Sequence, residues 1–493
     1  MAPIETDVCV VGAGGAGLAA AIGAGRAGAR VVLLEKGATP GGTTGRSVGS
    51  ITASGTRWQK AAGVDDTTDA HFEDMALFAG PRAERDNLTL RRFYVENAGE
   101  TVHFLADLGI EFIGPMPEPP HRVPRMHNIV PHSRAYISQL LREARRLGVT
   151  VMTETSADEV LMEGGHVTGL RATARSGPVE IKASAVILAS GDYSSSPDIK
   201  RKLGAAQAAE IEGVNPLSTG DGQRIGEAAG GHIVNGDIVW GPEIRFVAPP
   251  KPKLIAKIPP SRPFAKLVKA SFKAMPDRLL RPFLMSFVTT YLAPSHTLFS
   301  QGAILVNRDG ARFCDERDGP QDAIPQQTGR EAFILLDKAI AERFEVWPNF
   351  ISTAPGVAYA YLADYRRNRR DITFEGDTLE AVAGKAGVDP AGLAHTVAAY
   401  NADADARGER PALSGGPYTI LGPARSFILM TEGGLAVNTD LQVLGADDAP
   451  IDGLFAAGSA GQGGLILDGH GHHLGWAFTS GRIAGANAAR SIG

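Results

Sequence analysis

Asp468-Gly469-His470-Gly471-His472-His473 gathers one carboxylate and three imidazoles into a single glycine-broken stretch. Imidazole titrates near working pH, and the glycines on either side of His470 permit unusual backbone angles. Such groups can take or give a proton beside a carbonyl, or stabilise an enolate. His470 and His472 are the candidates for proton transfer or carbonyl polarisation, with Asp468 orienting one imidazole. Three His and an Asp could also ligate a metal. Acid–base or substrate hydrogen bonding ranks first, cofactor contact second and metal third; no metal is expected.

A second chemical stretch is Asp7 to Glu35, DVCVVGAGGAGLAAAIGAGRAGARVVLLE. Gly12, Gly14 and Gly17 have G-x-G-x-x-G spacing, with Gly15 and Ala16 inside the turn. In that pattern the first glycine makes the tight turn, the second lets backbone approach a pyrophosphate, and the third lets helix pack on strand. The elements that must position these residues are legible around them. Val8 to Val11 is an apolar run suited to a strand buried on both faces. Leu18 to Arg26 is Ala-rich and helical, so its N–H groups and positive dipole end face the phosphates. A second strand, Val31 to Leu34, ends at Glu35, placed to hold a ribose hydroxyl. Together these imply an ADP-containing dinucleotide.

The residues after Glu35 narrow the choice. Lys36 to Gly55, KGATPGGTTGRSVGSITASG, is small, hydroxyl-rich and full of glycine. Gly41, Gly42, Thr43, Thr44, Ser47 and Gly49 would let backbone and hydroxyls run along a long, flat cofactor, as a flavin lies extended. No second Gly-rich βαβ unit is visible, so direct electron transfer from NADPH is not expected; an external donor or acceptor would complete the cycle. Further along, Thr67 to Asp107 and Ser133 to Leu147 read as helices. Val149 to Thr153 and Asp158 to Met162 read as strands joined by a turn at Ser156-Ala157, and Ala185 to Leu188 as a short buried strand. The last helix, Leu474 to Arg490, would point its N-terminus at the flavin.

Composition bounds the rest. A chain of 493 residues suggests two domains. A formal net charge of −5 gives no global reason to expect nucleic acid. With only Cys9 and Cys314 there is no disulfide framework, Cys-based zinc site, iron–sulfur set or haem motif. The first strand starts close to Met1 and no apolar stretch is long enough to span a bilayer, so a signal peptide is not expected and a cytoplasmic location is. One segment departs from this pattern. From Pro249 to Pro294, nine Lys and Arg side chains face only Asp277, interleaved with Phe264, Leu267, Phe272 and other apolar residues. This reads as a solvated helical lid and, second, as a peripheral membrane contact through 251–292; both can hold together.

The chain resembles the flavoprotein superfamily that contains fumarate reductase, the succinate-dehydrogenase-like flavoproteins and the 3-ketosteroid dehydrogenases. The resemblance runs through Glu35-Lys36 and GGTTGRS, Ala189-Ser190-Gly191, Ser218-Thr219-Gly220-Asp221-Gly222, ILVNRDGARFCDE from Ile304, the segment Asp377 to Asn401, and GLFAAGSAG from Gly453. The layout is closest to the 3-ketosteroid dehydrogenase branch. The resemblance implies an α/β fold, with a Rossmann-like FAD-binding domain at 1–236 and 356–493 and an inserted α+β capping domain at 237–355. It implies FAD contacts at Gly12, Gly14, Gly15, Ala16, Gly17, Glu35, Lys36, Gly42, Thr43, Thr44, Ser47, Gly49, Ala157, Ser190, Gly191, Asp221, Gly458, His473 and Leu474. FAD would be non-covalent, because Thr44 and Ser47 stand where covalent relatives attach the ring through His.

Departures from the superfamily pattern shape the substrate expectation. Met430 stands where fumarate reductases carry His, and the Arg expected after the RF-x-x-E segment is replaced near Pro320, with Arg317 earlier. Leu467 falls where the ketosteroid enzymes have Tyr, Ser459 where Glu is frequent, and Asp192-Tyr193 where Gly-Phe is usual. A dicarboxylate is therefore disfavoured; His296 and Arg317 are further candidates for substrate contact. The expected activity is hydride transfer between flavin N5 and a carbon adjacent to a carbonyl, on a ketone-like, hydrophobic or steroid-like substrate. The alternatives are a fumarate-reductase-like reductase of an unsaturated monocarboxylate, an aromatic-ring hydroxylase, and a non-catalytic flavin electron carrier.

Overall fold

The structure, a computed structural model, describes residues 3–250, 258–274, 281–282, 285–286, 288–290, 292–354 and 358–492. Five parallel strands form the centre of the first compact unit. β1 (Val8–Val11), β2 (Val31–Leu34), β3 (Thr150–Met152), β4 (Ala185–Leu188) and β5 (Pro450–Ala456) lie in the order β5-β4-β1-β2-β3. Every residue of β1, β2 and β4 is buried, as continuous apolar runs require when helices cover both faces. An antiparallel set, Thr155–Glu163, His166–Ala174 and Gly177–Lys182, continues the sheet beyond β5. The expected turn at Ser156-Ala157 is displaced. Glu154, at φ +52°, sits at the bend, and Ala157 lies inside the strand opposite Ala172.

The helices of this unit include α1 (Gly15–Arg26), α2 (Thr68–Ala79), α3 (Leu88–Asp107), α4 (Arg134–Arg146), α5 (Arg262–Ala274) and α6 (His472–Ser491). α1 and α6 pack backbone to backbone. A Cβ on Gly481 would lie 2.2 Å from Ala16 O, and one on Gly485 would lie 2.0 Å from Ala20 O. Glycines at that contact bring the start of α6 alongside the turn that opens α1.

The second unit comprises 241–257 and 274–428. Its sheet is built on the long strand Tyr418–Ile428, which pairs antiparallel with Glu243–Phe246, Ala332–Leu336 and Thr373–Gly376. Leu379–Ala386 and Pro390–Ala402 are helices, as the sequence suggests for Asp377 to Asn401. The chain returns to the first unit at Leu429. That is later than the expected residue 356, because Tyr418–Ile428 contributes its hydrogen bonds to the second sheet. Of the basic stretch 251–292, α5 is described, whereas Lys251, Lys253, Lys257 and Arg278 lie outside the described residues. No helix among the described residues is long and apolar enough to cross a membrane.

Candidate active site

The glycine turn between β1 and α1 opens a cavity of about 680 Å³. Its three glycines are needed for three separate reasons. Gly12 has φ +101°, and a Cβ there would meet Ala189 O at 2.5 Å. Gly17 faces Gly12 O, which a Cβ would approach to 1.8 Å, so α1 can seat only over a bare backbone. Gly14 has nothing within 4 Å of its Cβ position and opens onto the cavity. Gly12, Gly14, Gly15 and Ala16 line that cavity; Gly17 lies behind it, holding the turn.

Side chains of the loop beyond β2 are pinned around the same space. Gly15 N donates to Thr44 Oγ1 at 3.1 Å and Asn215 Nδ2 to Thr43 Oγ1 at 3.0 Å. Glu35 accepts from Ala13 N at 3.1 Å and from Gly37 N at 2.7 Å, which aims its carboxylate along the wall. Lys36 Nζ donates to Thr219 Oγ1 at 2.5 Å and Asp221 Oδ2 at 2.7 Å, tying the loop to the helix Asp221–Ala228. Glu35, Lys36, Gly42, Thr43, Thr44, Ser47, Ala157, Ser190, Gly191 and Asp221 all line the cavity, as do Gly458, His473 and Leu474. Gly49 does not. Its Cβ position meets Ile129 at 2.4 Å and Ser133 at 3.3 Å, so it is a packing glycine beneath the loop. Asp192 lines the cavity with a carboxyl pushed up by burial, whereas Tyr193 is fully buried and donates to Gly236 O at 2.7 Å.

The histidine stretch is divided by the start of α6. Successive helical residues point about 100° apart, so His472 and His473 face different surroundings. His472 turns into the protein, fully buried, and its pKa is pushed down to about 4 by that burial. Its Nδ1–H donates to the backbone carbonyl of Asp468 at 2.6 Å, and its Nε2 lies 3.3 Å from His71 Nε2. His470 is on the surface, its Nδ1 2.5 Å from Glu118 Oε1. The Asp468 carboxylate pairs with Arg82 at 2.8 Å, and its acidity is weakened first by burial and then by nearby Glu432. None of these three expected catalytic groups lines the cavity, and Asp468 orients His472 through its carbonyl rather than its carboxylate.

His473 is the imidazole that does line it. Its Nε2 donates to Glu432 Oε1 at 3.0 Å, and its ring stacks on Trp240 with centroids 5.3 Å apart at 24°. Nδ1 is buried with no hydrogen-bond partner among the described residues. Glu432, fully buried, is held in turn by Gln462 Nε2 and by Leu467 N at 3.4 Å. Trp240 pairs with Met430 across a two-residue antiparallel ladder, which brings Trp240 and Glu432 together at His473. The sequence had offered His473 only as a cofactor contact. The signal that separates it from its neighbours is its position immediately before Leu474, at the opening turn of the last helix.

His71, His121 and His472 bring ring nitrogens within 4.8 Å of one another. His71 and His472 face each other through Nε2, whereas His121 Nε2 is buried with no hydrogen-bond partner among the described residues. Arg125 Nη1 donates to His121 Nδ1 at 2.8 Å, which leaves the His121 proton on Nε2, the wrong tautomer for a ligand at that atom. Arg125 is itself clasped by Asp66 at 2.6 Å and Asp74 at 2.5 Å. The two substrate candidates belong to the second unit. His296 is exposed beside the helix Thr297–Ser300, and Arg317 is taken up by Asp315, with Nε 3.0 Å from Oδ1. Neither lines the cavity.

Residues 7–251 and 276–467 match the family described as FAD binding domain. The chain belongs to this family. It is 28% identical to the probable fumarate reductase Ifc3 of Shewanella frigidimarina, over 98% of this chain and 75% of that protein. It is equally 28% identical to the urocanate reductase of Eggerthella lenta, again over 98% and 75%. Among solved structures, the open conformation of a flavocytochrome c3 fumarate reductase superposes with a TM-score of 0.74 at 26% identity, covering 100% of this chain and 79% of that one. The protein is an FAD-dependent oxidoreductase acting on CH–CH groups. Its cavity fits the cofactor. The bare Gly14, the amide end of α1 and the wall carboxylate Glu35 suit the ADP half, and the lining continues to Gly458, His473 and Leu474.

Proposed function

We propose that this protein reduces the C=C bond of an α,β-unsaturated monocarboxylate, drawing electrons from an external donor through FAD. When bound, FAD supplies the hydride. Everything else in the reaction is asked of the chain. The observation that carries the reading is the His473–Glu432 pair at the cavity. With Nε2–H fixed on the buried carboxylate, the ring acts as an imidazolium: Nδ1–H hydrogen-bonds the substrate carboxylate or gives its proton to the substrate carbon, leaving neutral imidazole that is reprotonated from solvent before the next turnover. Trp240 stacked on the ring keeps it from turning away. Reduction of a fumarate-like dicarboxylate needs a second cation. Arg317 is occupied by Asp315, and Met430 offers no charge beside the imidazole.

Relatives at similar identity carry the names fumarate reductase and urocanate reductase, which supports reduction over dehydrogenation of a ketone-like or steroid-like substrate. Glu35 and Ala157 serve the adenosine half of FAD, Gly14 and the α1 amides its pyrophosphate, and Gly458 and Leu474 the flavin half. The cofactor is held without a covalent link, since Thr43, Thr44 and Ser47 form the loop wall where a His would be the attachment point. Acid precipitation should therefore leave all yellow colour in the supernatant. The substrate reading is tested anaerobically with reduced methyl viologen as electron source. Turnover with an acrylate- or urocanate-type acid exceeding that with fumarate and with cyclohexenone supports it. Preference for fumarate, or for the enone alone, overturns it.

A further inference from the structure

The helix α5 sits on the first unit with two of its large apolar side chains, Phe264 and Leu267, turned outward. Its contact with the unit is made by Ala265, 3% exposed, with Val268 and Lys269 half-buried. Phe264 and Leu267, three residues apart and so on one face, are 46% and 62% exposed. A helix that only covered a core would bury that pair and expose its small and charged positions. The placement is anchored. His132 Nε2 donates to Ile258 O at 3.0 Å, and Gln139 Nε2 donates to Pro260 O at 2.8 Å just before the helix begins. Lys269 Nζ lies 3.1 Å and Arg262 Nε 3.6 Å from the two oxygens of Glu111, fixing the inner side. Lys266, between Phe264 and Leu267 in the sequence, is exposed.

Charge says what this face would meet. From Pro249 to Pro294 the sequence holds nine Lys and Arg against one Asp, in a chain whose formal net charge is −5. A cation-rich stretch of sequence in an acidic protein, with an outward aromatic and aliphatic pair and exposed Lys266 on its described helix, has the composition of an interfacial helix. We infer that α5 docks the protein on an anionic lipid bilayer, with Phe264 and Leu267 entering the headgroup boundary and Lys266 meeting the phosphates. The helix is 13 residues, about 20 Å long, which suffices to lie in the interface and not to cross it.

The test is sedimentation of the FAD-loaded full chain with extruded vesicles of phosphatidylcholine alone and of phosphatidylcholine mixed with phosphatidylglycerol. The chain should pellet with the mixed vesicles, less so as salt is raised, and stay in solution with the neutral ones. The Phe264→Glu/Leu267→Glu double variant should weaken that binding by at least about tenfold. Both sites are exposed, so flavin content, melting temperature and turnover of soluble substrate should match the parent. Equal binding to both vesicle types, or undiminished binding by the double variant, overturns the inference. So does concentration-dependent self-association that the double variant abolishes without any vesicle binding, because the occupant of the face would then be a second copy.

Discussion

At the residue scale, the chemistry depends on which of three adjacent histidines meets the cavity. His473→Ala should lower kcat by about 100-fold or more, the range of a lost general acid, while melting temperature changes little. His470→Ala should stay within a few-fold of the parent, since its ring is exposed and outside the cavity. Glu432→Gln keeps the shape of the dyad but removes the acceptor charge, and should fall between the two. Gly14 and Gly17 make a second contrast. Gly14→Ala should fold as the parent and bind FAD more weakly, because its methyl would occupy only cavity space. Gly17→Ala should lose stability as well as FAD, because its methyl has no room against Gly12 O. Thermal melts with and without added FAD separate the two variants.

At the scale of elements, α6 and the stretch that leads into it are fixed by the buried imidazoles. Burial is the first cause holding His71 well below its usual pKa, His121 down to about 3 and His472 down to about 4. The folded protein thus keeps these rings neutral where the unfolded chain would protonate them. Stability is complete above the unfolded value near 6.5 and is lost as pH falls from there toward 4. Melting temperature should drop steeply between pH 6.5 and 4, and the drop should shrink in His121→Gln. A melt profile that is flat across this interval would mean the cluster takes up protons in the folded state. The same elements explain the displaced catalytic expectation. Glycines around His470 do mark a sharp backbone path, but Gly471 ends it as the cap of α6, and the helix carries His472 inward.

At the scale of the molecule, the parallel sheet and its cofactor turn were readable because continuous apolar runs and glycine spacing are local signals. Val8 to Val11, Val31 to Leu34 and Ala185 to Leu188 are strands with the expected bounds. The role of Gly17 follows from Gly12 O five residues away and was legible in the spacing, whereas Gly12 is also held bare by Ala189 O far along the chain. The features that could not be read depend on contacts far apart in the chain. Glu432 meets His473 across 41 positions, and His71 meets His472 across 401. Gly49 resembles its glycine neighbours in the loop, yet Ile129 and Ser133 fill the space beside it. The late return at Leu429 was hidden for the same reason, since only strand pairing assigns Tyr418–Ile428 to the second sheet.

The central claim is that His473, held by Glu432 beside the FAD cavity, supplies the proton that completes reduction of a C=C bond. Rapid mixing of the anaerobic, pre-reduced protein with an unsaturated monocarboxylate reads this directly as return of the oxidised flavin absorbance. The account predicts fast recovery for the parent and recovery at least about 100-fold slower for His473→Ala at equal flavin content. A colourless protein that takes up no FAD, or a His473→Ala variant as fast as the parent, would contradict it.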